Sequence, residues 1–137
     1  MTSALDSVFL GYKAGYSTTT SSYNVFIGSQ AASGATGVTN SVVIGRQAMA
    51  AGVATGDHNV AIGYQAGYNI TTAKETVIIG KDAGKGVVGG EAGVYIGYNA
   101  GGSTMTGIRN TVVGSSAGSN ALGTLTETTY IGASAGN

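Results

Sequence analysis

The sequence predicts an all-β protein in which a single domain, residues 1–137, winds as a parallel β-solenoid, or β-roll, of eight coils. Two observations carry this prediction. One short segment recurs along the whole chain, as in NVAIGYQAGY at 59–68 and TVIIGKDAGK at 76–85, and its copies follow one another at a constant 17 or 18 residues. A constant period of this length is typical of a chain that stacks one structural unit per repeat.

Each copy has a glycine directly after an apolar triplet and an alanine three residues later. These corner glycines are Gly11, Gly28, Gly45, Gly63, Gly80, Gly97, Gly114 and Gly132. Glycine accepts positive φ and the close approach of another backbone, so the segment predicts a tight corner that repeats from coil to coil. Stacked in parallel at about 4.8 Å, eight coils make a rod of roughly 40 Å.

The triplet before each corner glycine predicts a short strand. Its first and third residues are Val or Thr and Leu, Ile or Val, and they share one strand face, which we expect to fill the solenoid interior with the alanine. The rest of each coil, such as STTTSSY at 17–23, is rich in Thr, Gly and Val. It predicts a second short strand and a turn on the outer side, giving two short strands per coil.

The middle residue of each triplet points the other way and is nevertheless apolar. This middle column comprises Phe9, Phe26, Val43, Ala61, Ile78, Tyr95, Val112 and Tyr130. A thin coil cannot easily bury both faces of one strand, so we expect the middle column to form a subunit interface around a threefold axis. The alternative is a monomeric solenoid in which the column packs within its own coil.

Composition restricts the partners. Six Lys and Arg balance six Asp and Glu, so no net charge recruits nucleic acid or an anionic membrane surface. No stretch approaches eighteen apolar residues, which predicts no membrane insertion, and the N-terminus MTSALDSVFL does not resemble a signal peptide. A location outside the cell would therefore need lysis, a dedicated export machine or a longer precursor.

The sequence favours no enzyme and predicts no catalytic residue, metal site or cofactor. Its one histidine, His58, lies in the loop GDHN and is expected to be solvated, and there is no cysteine. Asp82 and Glu91 are a conceivable pair of hydrolytic carboxylates, but nothing in the pattern selects them.

Tyrosines are the candidate receptor contacts. Tyr12, Tyr64 and Tyr98 share the position after the corner glycine, and Tyr16 and Tyr68 share the position five after it. An exposed aromatic ladder could stack against the sugar rings of a cell-surface glycan. The alternative is that the rings stack on one another and seal the edge of the coil.

The segments NVFIGSQA, SVVIGRQA, NVAIGYQA and SVFLGYKA resemble the head repeats of trimeric autotransporter adhesins, and more closely the IGYxAG repeats of phage tail-fibre proteins. The resemblance covers nearly the whole chain. It implies a left-handed parallel β-roll, three chains side by side with the middle column facing the trimer axis, and an extracellular or virion-associated fibre.

The predicted function is therefore structural: a homotrimeric fibre subunit or segment. Joining Asn137 to a following Met1 would put sixteen residues between Gly132 and the next Gly11, close to the native period. We expect either head-to-tail stacking into a filament or a piece of a longer fibre. The alternative function is a receptor- or glycan-binding adhesin head.

Overall fold

The computed structural model describes residues 6–103 and 105–137, and their main feature is one sheet of eight parallel strands. The strands are β1 (Val8–Leu10), β2 (Val25–Ile27), β3 (Val42–Ile44), β4 (Val60–Ile62), β5 (Val77–Ile79), β6 (Val94–Ile96), β7 (Thr111–Val113) and β8 (Thr129–Ile131). Their order in the sheet is their order in the chain, and equivalent residues are paired, as Ile27 is with Ile44. The predicted parallel β-solenoid is confirmed.

The corner glycines lie over one another, as the repeat predicts. Gly28 has a φ of 129°, and a Cβ added to it would lie 2.8 Å from the carbonyl carbon of Gly45. A larger residue would therefore be strained in its own backbone and would collide with the next coil. Glycine at this position sets how closely successive coils can stack.

The middle column fills the interior of the chain's own coil. Six members have at most 1% of their surface exposed within one chain: Phe26, Val43, Ala61, Ile78, Tyr95 and Val112. Phe9 and Tyr130, in the end coils, pack partly buried against the same core, and the Phe9 and Phe26 rings stack at 4.9 Å. The predicted subunit interface is wrong at the six buried positions, because side chains already covered by their own coil have no surface left for a second chain. Phe9 and Tyr130 are half-buried and point into the same core.

The flanking residues of each strand point outward, which reverses the predicted orientation. Val8 and Leu10 are 55% and 63% exposed, and Ile79 and Ile96 are each 36% exposed. Because a strand has a period of two, the residue just before the strand lies on the same, inward face as the middle residue. Before every strand except β6, that preceding residue is polar, yet it is buried or half-buried.

A polar ladder, buried except for the half-buried Ser7 and Thr128, runs along the coils at the position just before every strand except β6. Its members are Ser7, Asn24, Ser41, Asn59, Thr76, Asn110 and Thr128. Asn24 Oδ1 accepts the backbone N–H of Ser41 at 2.9 Å, Ser41 Oγ accepts that of Asn59 at 3.0 Å, and Asn59 Oδ1 accepts that of Thr76 at 3.1 Å. Each side chain thus satisfies a backbone donor of the next coil, and this is why polar residues are stable inside.

The predicted second strand is not formed within the described residues. The far side of the coils has only isolated parallel bridges, Lys74 with Glu91, Val87 with Met105 and Met105 with Gly123. Here consecutive N–H groups share one acceptor: those of Thr71 and Thr72 both donate to Val88 O, at 2.8 and 3.3 Å. Consecutive donors in a strand point in opposite directions, so this backbone turns where a strand would extend.

Candidate interaction surfaces

The outward side chains of the eight strands form one continuous surface, here called the apolar face. It contains Val8, Leu10, Val25, Ile27, Val42, Ile44, Val60, Ile62, Val77, Ile79, Val94, Ile96, Thr111, Val113, Thr129 and Ile131. Fourteen of these sixteen residues are aliphatic, and at about 4.8 Å per strand the surface extends over roughly 34 Å. None of its members is fully buried.

An apolar surface of this kind is a candidate interface, because contiguous exposed apolar patches on soluble proteins mark sites of association. Its side chains are β-branched or aliphatic and are held by a regular sheet, so they lose little conformational freedom on being covered. Within the described residues, Val8, Leu10, Ile79, Ile96 and Ile131 are exposed and the other aliphatic members are half-buried. The surface fits another apolar surface and offers no group for chemistry.

The predicted receptor-contact tyrosines lie on the corner that follows the sheet. Tyr12, Tyr16, Tyr64 and Tyr98 are exposed, whereas Tyr68 is half-buried. Those at the position after the corner glycine occupy coils one, four and six, so they are not neighbours in a continuous aromatic ladder. The structure therefore does not bring the five tyrosines together, and it does not stack them on one another.

Each of these four exposed tyrosines has a cation beside its ring instead. Lys13 Nζ lies 5.3 Å from the centroid of Tyr12 and 5.2 Å from that of Tyr16. The Arg46 guanidinium lies 5.6 Å from the centroid of Tyr64, and Lys81 Nζ lies 5.5 Å from that of Tyr98. These distances fall within the range of cation–π attraction, so the rings and cations support one another along the corner.

The charges are separated between the two ends of the strands, although they cancel in total. We call the corner after the strands the basic edge: it carries Lys13, Arg46, Lys81 and Lys85 against the single acid Asp82. The acidic edge, the turn before the strands, carries Asp6, Asp57, Glu75, Glu91 and Glu127 against Lys74 and Arg109. Net charge alone missed this separation, but the positions of the residues within the repeat would have shown it.

The basic edge is also stabilised by a ladder of glutamines, which lie two residues after the corner glycines of coils two to four. Gln47 Nε2 donates to Gln30 Oε1 at 3.1 Å, and Gln65 Nε2 donates to Gln47 Oε1 at 3.0 Å. All three residues have positive φ, between 54° and 61°. The corner therefore has a defined geometry on which the tyrosines and cations are displayed.

The residues weighed for catalysis or metal binding lie apart in the structure. They enclose no pocket, and among them no three His, Asp or Glu side chains lie close enough to hold a metal ion. His58 is exposed, and Asp82 lies 3.3 Å from Lys85. Asp82 follows β5 and Glu91 precedes β6, so these two carboxylates lie at opposite ends of the strands.

The described part of the chain also lacks any helix long and apolar enough to cross a membrane. Its fold and its two distinctive surfaces, the apolar face and the basic edge, are what the chain offers to partners. Comparison with protein-family models, with curated proteins and with solved structures finds no match to this chain.

Proposed function

We propose that this chain is a structural segment of an extracellular or virion-associated fibre, and that it associates side by side with copies of itself. The observation that carries the proposal is the apolar face. Fourteen aliphatic side chains in two columns are exposed or half-buried, while the chain already has a core of its own. A second copy offers a surface of the same length, spacing and chemistry.

The apolar face replaces the middle column as the surface through which chains meet. Three copies around an axis parallel to the solenoid would shield all three faces from water, and the resemblance of the repeat to fibre heads supports that number. The association is driven by burial of Val and Ile side chains. Moving such a side chain from full exposure to full burial stabilises by about 1.5–3 kcal/mol, and a half-buried one gains only part of this. A rigid sheet with β-branched residues suits a load-bearing rod.

We also propose that copies stack end to end into a filament. β1 and β8 are the two edge strands of the sheet, and among the described residues each pairs with one neighbour only. Within the described residues, the outer sides of β1 and β8 offer backbone donors and acceptors for a further parallel strand. Such a contact is heterologous, and contacts of this kind produce open filaments.

Sedimentation equilibrium of the purified chain, combined with electron microscopy, tests the proposal. We expect a mass of three chains, and longer rods as concentration rises. The double variant Val60→Lys, Val77→Lys, which changes neighbouring coils of the apolar face, should sediment as a monomer with an unchanged circular dichroism spectrum. The control Asn40→Lys, Asn69→Lys adds the same charge at exposed positions outside the face and should still associate. A wild-type monomer at every concentration would overturn the proposal.

A second function, recognition of a cell-surface glycan, is supported by the exposed tyrosines of the basic edge. Tyr98 is 52% exposed and Tyr64 is 37% exposed, and both lie on a corner with defined geometry. Exposed aromatic rings with nearby polar groups are typical of sugar-binding surfaces. Loss of glycan-array binding in Tyr64→Ala and Tyr98→Ala, with folding intact, would support this function.

A further inference from the structure

We infer that the basic edge binds a linear acidic polysaccharide that lies along the solenoid axis and carries a carboxylate on every second sugar. The inference rests on the glycan-recognition function proposed above and names its ligand class. It starts from one position in the repeat, the residue directly after the corner glycine. In coils three to six this position holds Arg46, Tyr64, Lys81 and Tyr98 in turn, so cation and aromatic ring alternate.

The spacing of the cations matches such a ligand. Neighbouring coils are about 4.8 Å apart, so Arg46 and Lys81 recur at about 9.6 Å. Each pyranose of an extended polysaccharide advances the chain by nearly one coil, and carboxylates on alternate sugars therefore recur at nearly two coils. Lys13, in coil one and one position further along the repeat, continues the same spacing. The cations can thus pair with successive carboxylates of one strand of sugar.

The tyrosines lie where the intervening neutral sugars would be. Tyr64 and Tyr98 remain exposed although Arg46 and Lys81 lie 5.6 and 5.5 Å from their respective ring centroids. A phenol offers an apolar ring for a sugar face and a hydroxyl that donates to and accepts from sugar hydroxyls. Because the cations already rest against the rings, they lose less side-chain entropy when a ligand binds.

The local charge favours an anion on this edge alone. The one acid there, Asp82, is paired with Lys85 at 3.3 Å, which leaves Lys13, Arg46 and Lys81 uncompensated by any acid on the same edge. Five of the chain's six acids lie on the acidic edge and repel the same ligand there. A polyanion would therefore be held in one orientation relative to the coil.

The modest charge density favours a polysaccharide over a nucleic acid. Duplex DNA carries a phosphate charge for about every 1.7 Å of its axis, far denser than one cation for about 9.6 Å. An acidic polypeptide would supply carboxylates but no pyranose rings for the tyrosines. The ligand that matches both the charge spacing and the rings is an acidic sugar chain.

The test is titration of labelled hyaluronate oligosaccharide, in which glucuronate and N-acetylglucosamine alternate, into the wild-type chain at low salt. We expect saturable binding that weakens by about tenfold in the double variant Arg46→Gln, Lys81→Gln, the effect of losing two exposed ion pairs. The matched control Lys74→Gln, Arg109→Gln removes the same charge from the acidic edge and should bind like the wild type. Tyr64→Ser, Tyr98→Ser should weaken binding without changing its dependence on salt.

Each other result overturns the inference. Equal losses of affinity in the two charge variants would show that binding depends on total charge. If poly-glutamate binds as tightly as hyaluronate, the sugar rings do not contribute to recognition. If neutral chito-oligosaccharide binds as well as hyaluronate, glycan recognition stands and the acidic ligand class is wrong. If no sugar binds, both fail. The fibre proposal is measured separately by mass and microscopy and is unaffected by these outcomes.

Discussion

The ring of Tyr95 occupies the space that the side chain of residue 93 would need. A Cβ added to Gly93 would lie 2.7 Å from Cε2 of Tyr95, and the Tyr95 phenol is hydrogen-bonded with the side chain of Asn110. Gly93 is the one position of the polar ladder, between Thr76 and Asn110, that has no side chain. A large residue in the middle column thus extends into the ladder and replaces the missing member.

We expect Gly93→Asn to destabilise the fold by about 1–3 kcal/mol, because the added side chain collides with the Tyr95 ring. Adding Tyr95→Val should recover most of this loss, since it restores the ladder residue and the smaller middle residue found in other coils. Urea denaturation of the two single variants and the double variant measures the coupling. Additive losses would show that the two positions do not share this space.

Tyr95 also predicts a loss of stability at alkaline pH. Burial raises the pKa of the Tyr95 phenol above its usual value, more strongly than the hydrogen bond with Asn110 lowers it. The unfolded chain loses this proton near pH 10 while the folded chain keeps it, so stability is unaffected below about pH 10 and falls above it, by at most about 1.4 kcal/mol for each pH unit. Denaturation midpoints measured from about pH 8 to about pH 12, roughly two units either side of the usual tyrosine pKa, should show this fall. The fall should be smaller in Tyr95→Phe.

Ile78 and Ile79 are neighbours on one strand, but Ile78 is buried in the core and Ile79 lies on the exposed apolar face. Ile78→Asp places a charge in the core and should cost about 4 kcal/mol or more, enough to unfold the chain. Ile79→Asp lies on the apolar face and should leave folding within about 1 kcal/mol of the wild type while it weakens association. Circular dichroism and sedimentation of both variants check this. The reverse result would restore the middle column as the interface.

Asn59 should be essential to the polar ladder. Its Nδ2 donates to Gly56 O and Ala73 O at 3.0 and 2.8 Å, and its Oδ1 accepts the backbone N–H of Thr76. Asn59→Ala leaves these buried groups without partners and should cost about 2–4 kcal/mol in urea denaturation. The exposed Asn69→Ala is the control and should change stability by at most about 0.5 kcal/mol. Equal small effects would show that water replaces the ladder.

Two corner glycines separate backbone strain from contact between coils. Gly132 has a φ of 121° with nothing within 4 Å of an added Cβ, so Gly132→Ala should cost about 1–3 kcal/mol from strain alone. A Cβ on Gly63, with φ of 135°, would lie 2.7 Å from the carbonyl carbon of Gly80. Gly63→Ala should cost roughly twice as much, because overpacking adds about 1–3 kcal/mol. Thermal or urea unfolding of both variants measures the difference.

The sequence predicts which residue types form the candidate surface, but it does not predict how their side chains are arranged there. The tyrosines were expected as an aromatic ladder, yet those after the corner glycine occupy coils one, four and six, and cations lie against their rings. Net charge predicted no electrostatic partner, although the charges divide between the two edges of the sheet. The formal net charge does not say where the charged residues lie, whereas electrostatic recognition depends on the local charge of a surface.

The period, the parallel stacking and the corner glycines can all be predicted from the repeat, because a spacing of 17 or 18 residues places like residues over like and only glycine fits where the corners meet. Tertiary structure alone decided which face of each strand is inside. Hydrophobicity predicts that the Val and Ile pairs fill the core. Stacking reverses this, because the buried amide and hydroxyl groups satisfy backbone N–H groups of the next coil, which exist as partners only once the coils are stacked.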